Sequence, residues 1–236
     1  MPYSRRNIKR VPVRLSMAFT GLFFTLIFTA VAVTGCGGEN QGDTAATGET
    51  TTTFSYELTR PQPGMVEVAD PPGDATRDDG TPLMTRSIVD IEKVSIAAEG
   101  QNLVFTLTVG EAIPSVKPAE LLGIEWGFLL DTDGNGEPDW GLYTAYPEGS
   151  LSYGLYQQQT KERFPDRQFP GSFSLDGATI TWTLPVAAIG SPQEFQWLAY
   201  TDAGLIPESE QDPIRKINDT VPAEAWPRGS RWLEYP

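Results

Sequence analysis

The chain has 236 residues, 31 acidic against 17 basic side chains, no histidine and one cysteine, Cys36. Without imidazole neither a Ser/His/Asp triad nor a histidine-ligated zinc site can be assembled. A net charge of −14 also argues against nucleic acid as a partner, because phosphate binding needs clustered cations.

The N-terminal segment carries Arg5, Arg6, Lys9, Arg10 and Arg14 and no acid, and an apolar run over 17–33 then meets Val-Thr-Gly-Cys at 33–36. A charged start, an apolar stretch and a small-residue cleavage site define a secretory signal. A permanent membrane span is the competing reading, since the run approaches bilayer-spanning length. The Val-Thr-Gly-Cys ending resembles that of bacterial lipoprotein precursors, in which the cysteine is lipidated and becomes the mature N-terminus. The resemblance implies that 1–35 is a signal peptide, that Cys36 carries the lipid, and that the protein is exported to the cell envelope and touches its membrane through the anchor alone. Each buried acyl methylene contributes about 0.8 kcal/mol, so several chains hold durably. Loss of the leader leaves 12 basic against 31 acidic residues, a charge of −19, and lipidation of Cys36 leaves no free thiol to serve as a nucleophile.

Residues 37–53, GGENQGDTAATGETTTT, contain no aromatic residue and little that is apolar. Such a segment cannot offset its ordering entropy by burial, so 36–53 reads as a lipidated end followed by a disordered linker with a reach of roughly 20–25 Å. The remainder, 54–236, is long enough for one sizeable domain.

That domain reads as strands throughout. In DPPGDATRDDG (70–80), Asp70, Asp74, Asp78 and Asp79 lie among Pro71, Pro72 and Gly73. Proline-fixed turns with side-chain to backbone hydrogen bonds account for such a stretch. The sharper alternative is a metal site built from Asp70 and Asp74 with Asp90 from the next strand. VSIAAEGQNLVF (94–105) turns at Gly100, and Leu103, Phe105, Leu107 and Val109 then alternate with polar or outward residues, the period of a half-buried strand.

In LLDTDGNGEPDWGLY (129–143), Asp131, Asp133, Asn135 and Asp139 occupy positions 1, 3, 5 and 9 of a calcium-type loop, with Gly136 at the sharp turn. Leu142 stands where such a loop in an EF-hand has its glutamate, and strand-like sequence flanks both ends. The pattern therefore predicts a strand-turn-strand calcium loop completed by backbone carbonyls or distant carboxylates, with a plain Asp/Asn/Gly turn as the alternative.

Trp126, Phe128, Trp140, Tyr143, Tyr146, Tyr153 and Tyr156 crowd this hairpin and its neighbour. Trp140, Tyr143, Tyr146 and Tyr153 are the candidates for a platform on which a sugar ring stacks, and core packing is the competing use of the same side chains. Alternation puts Trp140, Leu142 and Tyr146 on one face and Tyr143 on the other. Ile180, Trp182 and Leu184 predict another strand over 176–185, PVAAIG (185–190) a single helical turn, and FQWLAYT (195–201) a further strand. Many short strands with turn signals between them imply an all-β sandwich or barrel.

The segments at 70–80, DIEKVSIAAEGQNLVFTL (90–107), FLLDTDGNG (128–136), TITWTLPVAAIG (179–190) and NDTVP (218–222) occur in an order that resembles bacterial surface domains related to family 9 carbohydrate-binding modules and DOMON-like sandwiches. That resemblance implies a jelly-roll-like antiparallel β-sandwich, often with structural calcium, that binds sugars or, in DOMON relatives, sugars or haem. Haem is not expected here, since the chain has no histidine to ligate it. The expected role is a noncatalytic, lipid-anchored module that captures a glycan or other neutral ligand. A structural or protein-interaction surface lipoprotein is one alternative. Another is a glycoside hydrolase that pairs Glu125 with Asp131 or Asp139, since that chemistry needs two carboxylates at a set separation. Replacement of the sole thiol, Cys36→Ser, should abolish incorporation of labelled fatty acid into the protein in cells, and unchanged acyl labelling would contradict the lipoprotein reading.

Overall fold

In the computed structural model residues 57–77, 87–146, 149–207, 214–222 and 232–236 are described, and the leader, Cys36, the linker, Asp78 and Asp79 lie outside them. The described residues form two antiparallel sheets packed as a sandwich, one of the two architectures that the strand periodicity implies. The first sheet runs in the order β1 (Glu57–Thr59), β2 (Met65–Ala69), β4 (Ile91–Glu99), β5 (Asn102–Val109), β11 (Thr179–Pro185), β10 (Ser172–Asp176). The second runs β3 (Thr76–Arg77), β13 (Lys216–Val221), β12 (Phe195–Leu205), β6 (Leu121–Asp131), β7 (Trp140–Ala145), β8 (Ser152–Gln157), β9 (Glu162–Pro165), with β14 (Leu233–Tyr235) also on β12.

Period-2 patterning sets the register. Leu103, Phe105 and Leu107 of β5 point inward and pair directly with Leu184, Trp182 and Ile180 of β11. A slip by one residue would turn both rows to water, so the apolar pattern fixes the pairing. Between the sheets Phe128 is the hub: its ring lies 5.3 Å from Phe105, 5.8 Å from Trp182 and 5.9 Å from Trp197. Edge-on and tilted contacts of this kind add to the stabilisation from area burial. The turn after β11 is a short 3-10 helix, Val186–Ile189, ended by Gly190 at φ 87°, where a left-handed conformation suits glycine.

One crossing connects the sheets where chemistry concentrates. β2 belongs to the first sheet and β3 to the second, so residues 70–75 pass over the seam between them. The segment entering β4 is tied to the opposite sheet at three points: Trp126 Nε1 donates to Ile88 O at 2.6 Å, Thr201 Oγ1 to Val89 O at 2.5 Å, and Ile91 N to Asp219 Oδ2 at 2.6 Å.

Candidate functional site

Four carboxylates meet at this seam. Asp70 and Asp74 come from the crossing segment, Asp90 precedes β4, and Asp219 occupies an inward position of β13 between Ile217 and Val221. All four are buried, and Asp70, Asp74 and Asp219 each bring a carboxylate oxygen to within 4.8 Å of the others. Two ligands on opposite sides of a hard cation, each at about 2.4 Å, stand about 4.8 Å apart, so one ion can reach all three.

Their hydrogen bonding differs in a telling way. Both oxygens of Asp90 accept the Gly73 N–H at 2.9 Å, so this carboxylate shapes the crossing loop. Asp219 accepts Ile91 N–H through Oδ2 and Thr220 N–H at 2.8 Å through Oδ1. Asp70, only 5% exposed, has no hydrogen-bond partner among the described residues on either oxygen, and Asp74 has none there on Oδ1. An unpaired carboxylate away from water costs several kcal/mol, which a native fold tolerates only if the group takes a proton or a cation.

Electrostatics leads to the same choice. Burial first, and then the charges of Asp74 and Asp90, push the Asp70 carboxyl from 3.8 up to about 8. Burial and Asp90 raise Asp74 to about 6. Asp219 is held well above its ordinary range by burial, Asp70 and Asp74, and Asp90 is raised by burial against the lowering effect of the Gly73 N–H. Among the described residues, the neighbours that act on Asp70 and Asp219 by charge are other carboxylates. Buried acids with oxygen-only donors and no imidazole or thiolate match a hard divalent cation.

The loop at 131–139 is built differently. It joins β6 to β7 as the expected strand-turn-strand, with Gly134 at φ 72° and Gly136 at φ 85°. Asp131 is fully buried, and its Oδ1 accepts the N–H groups of Asp133, Gly134 and Asn135 at 3.3, 2.7 and 3.3 Å while Oδ2 accepts that of Gly136 at 2.7 Å. Asp139 accepts Thr132 N–H, Thr132 Oγ1 and Gln159 Nε2. Asn135 is exposed and directs its side chain to Asp133 and to the Glu137 N–H. Oxygens of Asp131, Asp133 and Asp139 also lie within 4.8 Å of one another, so this group too can hold an ion. The loop nonetheless has the donors it needs to stand as a turn, whereas the seam does not.

Comparison of the chain with protein families, with curated proteins and with solved structures returned no match. The site is therefore defined by its own geometry.

That geometry separates the four aromatic residues taken together from sequence. Trp140, Tyr146 and Tyr153 lie on the inner side of the second sheet. Tyr146 is 3% exposed and donates its hydroxyl to Pro114 O, Trp140 packs against the core, and Tyr153 stacks on Phe173 of the opposite sheet at 4.1 Å and 7°. Tyr143 alone faces outward, so the four cannot form one platform. Alternation along β7 and β8 accounts for the split, since 140, 142 and 144 pair with 157, 155 and 153 on the inner face.

The proposed hydrolase pair is likewise taken apart. Glu125 and Asp131 are six residues apart on one extended strand, roughly 20 Å at about 3.3 Å per residue. Asp139 N bonds to Leu130 O at the same far end of β6. Glycosidase carboxylates stand about 5–9.5 Å apart, so neither pair fits.

Asp219 is the site residue that the sequence reading missed. Its signal is an acid on the apolar phase of the alternating run Ile217, Asp219, Val221. Without a cation, raised carboxyl pKa values make the folded state hold protons that the unfolded chain releases near 3.8, so stability falls as pH climbs through about 6 and about 8. Urea unfolding of chelator-treated protein should give a higher midpoint at about pH 5 than at about pH 8.5, and saturating calcium should remove or reverse that trend, because the ion binds the ionised carboxylates. Equal midpoints at the two pH values in chelator would contradict the unpaired burial of these acids.

Proposed function

We propose that this protein is a lipid-anchored, noncatalytic glycan-binding module of the bacterial cell envelope whose sandwich is held closed by a structural calcium ion at Asp70, Asp74 and Asp219. The observation that carries the metal part is the buried Asp70 carboxylate, with neither oxygen paired, facing two further acids. Calcium suits this donor set. It takes six to eight hard oxygens in adaptable geometry, and carbonyls and water complete what carboxylates begin. Magnesium dehydrates reluctantly and keeps several waters, which suits a buried site less well.

The placement favours a structural rather than a catalytic ion. Its ligands come from the crossing between the sheets and from β13, so binding there links the two layers. An ion that binds only the folded state stabilises it by about 2.7 kcal/mol at a hundred times its dissociation constant. The glycan part is supported by the resemblance of the ordered segments to family 9-type and DOMON-like sandwiches. The noncatalytic part is supported by the absence of imidazole and by the failure of the sequence-predicted carboxylate pairs to come within reach of one bond.

Calcium added to metal-stripped protein should raise the melting temperature by roughly 5–10 °C at saturation, from that free energy and the unfolding entropy of a domain of this size. Asp70→Asn and Asp219→Asn should abolish the rise, while Asp133→Ala, at the exposed tip of the loop, should leave most of it. Superimposable melting curves in chelator and in calcium would overturn the calcium reading.

A further inference from the structure

The outer face of the second sheet carries a pattern that none of the preceding chemistry uses. Cross-strand pairing places Tyr200, Gly127, Tyr143 and Gly154 side by side in one row across β12, β6, β7 and β8. Both glycines are needed where they stand, for the tyrosine rings and for carbonyls of the neighbouring strands. A Cβ on Gly127 would meet Leu142 O first and then Tyr200 Cε1 and its hydroxyl oxygen at 2.9 Å, and one on Gly154 would meet the Tyr143 hydroxyl oxygen at 2.6 Å, Cζ at 2.7 Å and Phe164 O at 2.8 Å. Each ring is therefore bent across the neighbouring strand's glycine and lies along the sheet, with both tyrosines half-buried. The adjoining row offers Asp202, Glu125, Ala145 and Ser152 on the same face, from the pairings Asp202↔Glu125, Glu125↔Ala145 and Ala145↔Ser152.

Within this surface the Tyr200 hydroxyl donates to Glu125 Oε1. Burial, followed by the charge of Glu125, holds the Tyr200 phenol well above its ordinary range, so the phenol is the donor and the carboxylate the acceptor. Glu125 keeps acceptor capacity for a second hydroxyl beside two aromatic rings. Among the described cations, Arg163, with its guanidinium 5.4 Å from the Tyr156 ring, reaches Glu125, Tyr143 and Tyr200 by charge, Lys161 Nζ stands 6.0 Å from the same ring, and Lys216 Nζ is 3.4 Å from Asp202 Oδ2 on the other side. The face thus combines flat rings laid over buried glycines with carboxylate acceptors and a guanidinium within electrostatic reach.

We propose that this outer face, centred on Tyr143, Tyr200 and Glu125, is the ligand-binding surface and that its ligand is an uncharged oligosaccharide laid along the Tyr200–Gly127–Tyr143–Gly154 row. Pyranose rings present apolar faces that stack on such rings, and their hydroxyls donate to carboxylates at the edge. A uronate or sulfated chain would meet Glu125, Asp202 and a mature charge of −19, and is disfavoured. The inference rests on the glycan-binding reading and adds to it a location and a ligand class.

The test titrates ¹⁵N-labelled, calcium-loaded protein with cellohexaose, xylohexaose and mannohexaose, and with an oligoguluronate hexamer as the anionic probe. At least one neutral hexaose should shift the amides of Gly127, Tyr143, Gly154 and Tyr200. Tyr143→Ala should weaken that hexaose about tenfold or more, and Tyr143→Phe, which keeps the ring, should retain most of the affinity. Amide shifts need no variant and so survive any loss of folding in Tyr143→Ala. If the neutral hexaose instead shifts residues around the hollow of about 340 Å³ beside Asp131, Phe195 and Tyr235, the glycan-binding reading stands and this surface is wrong. Preference for the guluronate overturns the uncharged ligand class, and failure of every neutral hexaose to bind overturns both this surface and the glycan reading.

Discussion

Four carboxylates buried at one seam, two of them with oxygens that no donor among the described residues satisfies, constrain everything around them. Like charges at this spacing cannot all ionise in a dry site unless a cation enters, and they cannot all protonate near neutral pH without giving up the affinity that would hold one. The crossing from β2 to β3, the entry to β4 and the inward face of β13 are arranged about that conflict. Asp90 fixes the crossing through Gly73, Asp219 fixes the start of β4 through Ile91, and Asp70 and Asp74 are left facing inward. An ion placed there would stitch the layers where the described apolar core gives way to polar side chains.

The two acidic groups show why composition is a poor guide to metal affinity. The loop at 131–139 has the better-known spacing, yet its carboxylates are consumed by N–H groups of the turn they organise. Carboxylates already hydrogen-bonded have less to gain from an ion than the unpaired oxygens of Asp70 and Asp74, although their second lone pairs leave room for one. At the seam the balance reverses, because the alternative to an ion is an unpaired buried oxygen or a proton bound at raised pKa.

Much of the fold was legible because alternation reports directly on which side chains face the core. The run at 102–110, the hairpin at Gly100, the 3-10 turn at 186–189 and the strand-turn-strand at 131–139 all follow from local periodicity and turn chemistry, whereas the single strand expected over 176–185 is the end of β10, a turn and β11 over Thr179–Pro185. The candidate site was legible in part. Asp70 and Asp74 stood out as a local cluster, but Asp219 lies 145 residues from Asp74 and only its wrong phase within an apolar strand marked it. Register also decided the fate of the aromatics. Sequence could place Tyr143 opposite Trp140 and Tyr146, but not foresee that Tyr153 would stack on Phe173 from the other sheet, or that Tyr200 would pair across Gly127 with Tyr143. Such contacts depend on which distant strands become neighbours.

The inner and outer faces of the second sheet thus use the same residue types for opposite ends, with Trp126, Phe128 and Tyr146 filling the core and Tyr143 and Tyr200 laid over glycines outside. The central claim is that a cation belongs at the seam, and anomalous diffraction from a crystal grown with calcium and exchanged with a lanthanide tests it most directly. The account predicts an anomalous peak within bonding distance of Asp70, Asp74 and Asp219. Carboxylates at the seam with no peak among them, in a crystal whose only bound ion lies in the loop at 131–139, would contradict it.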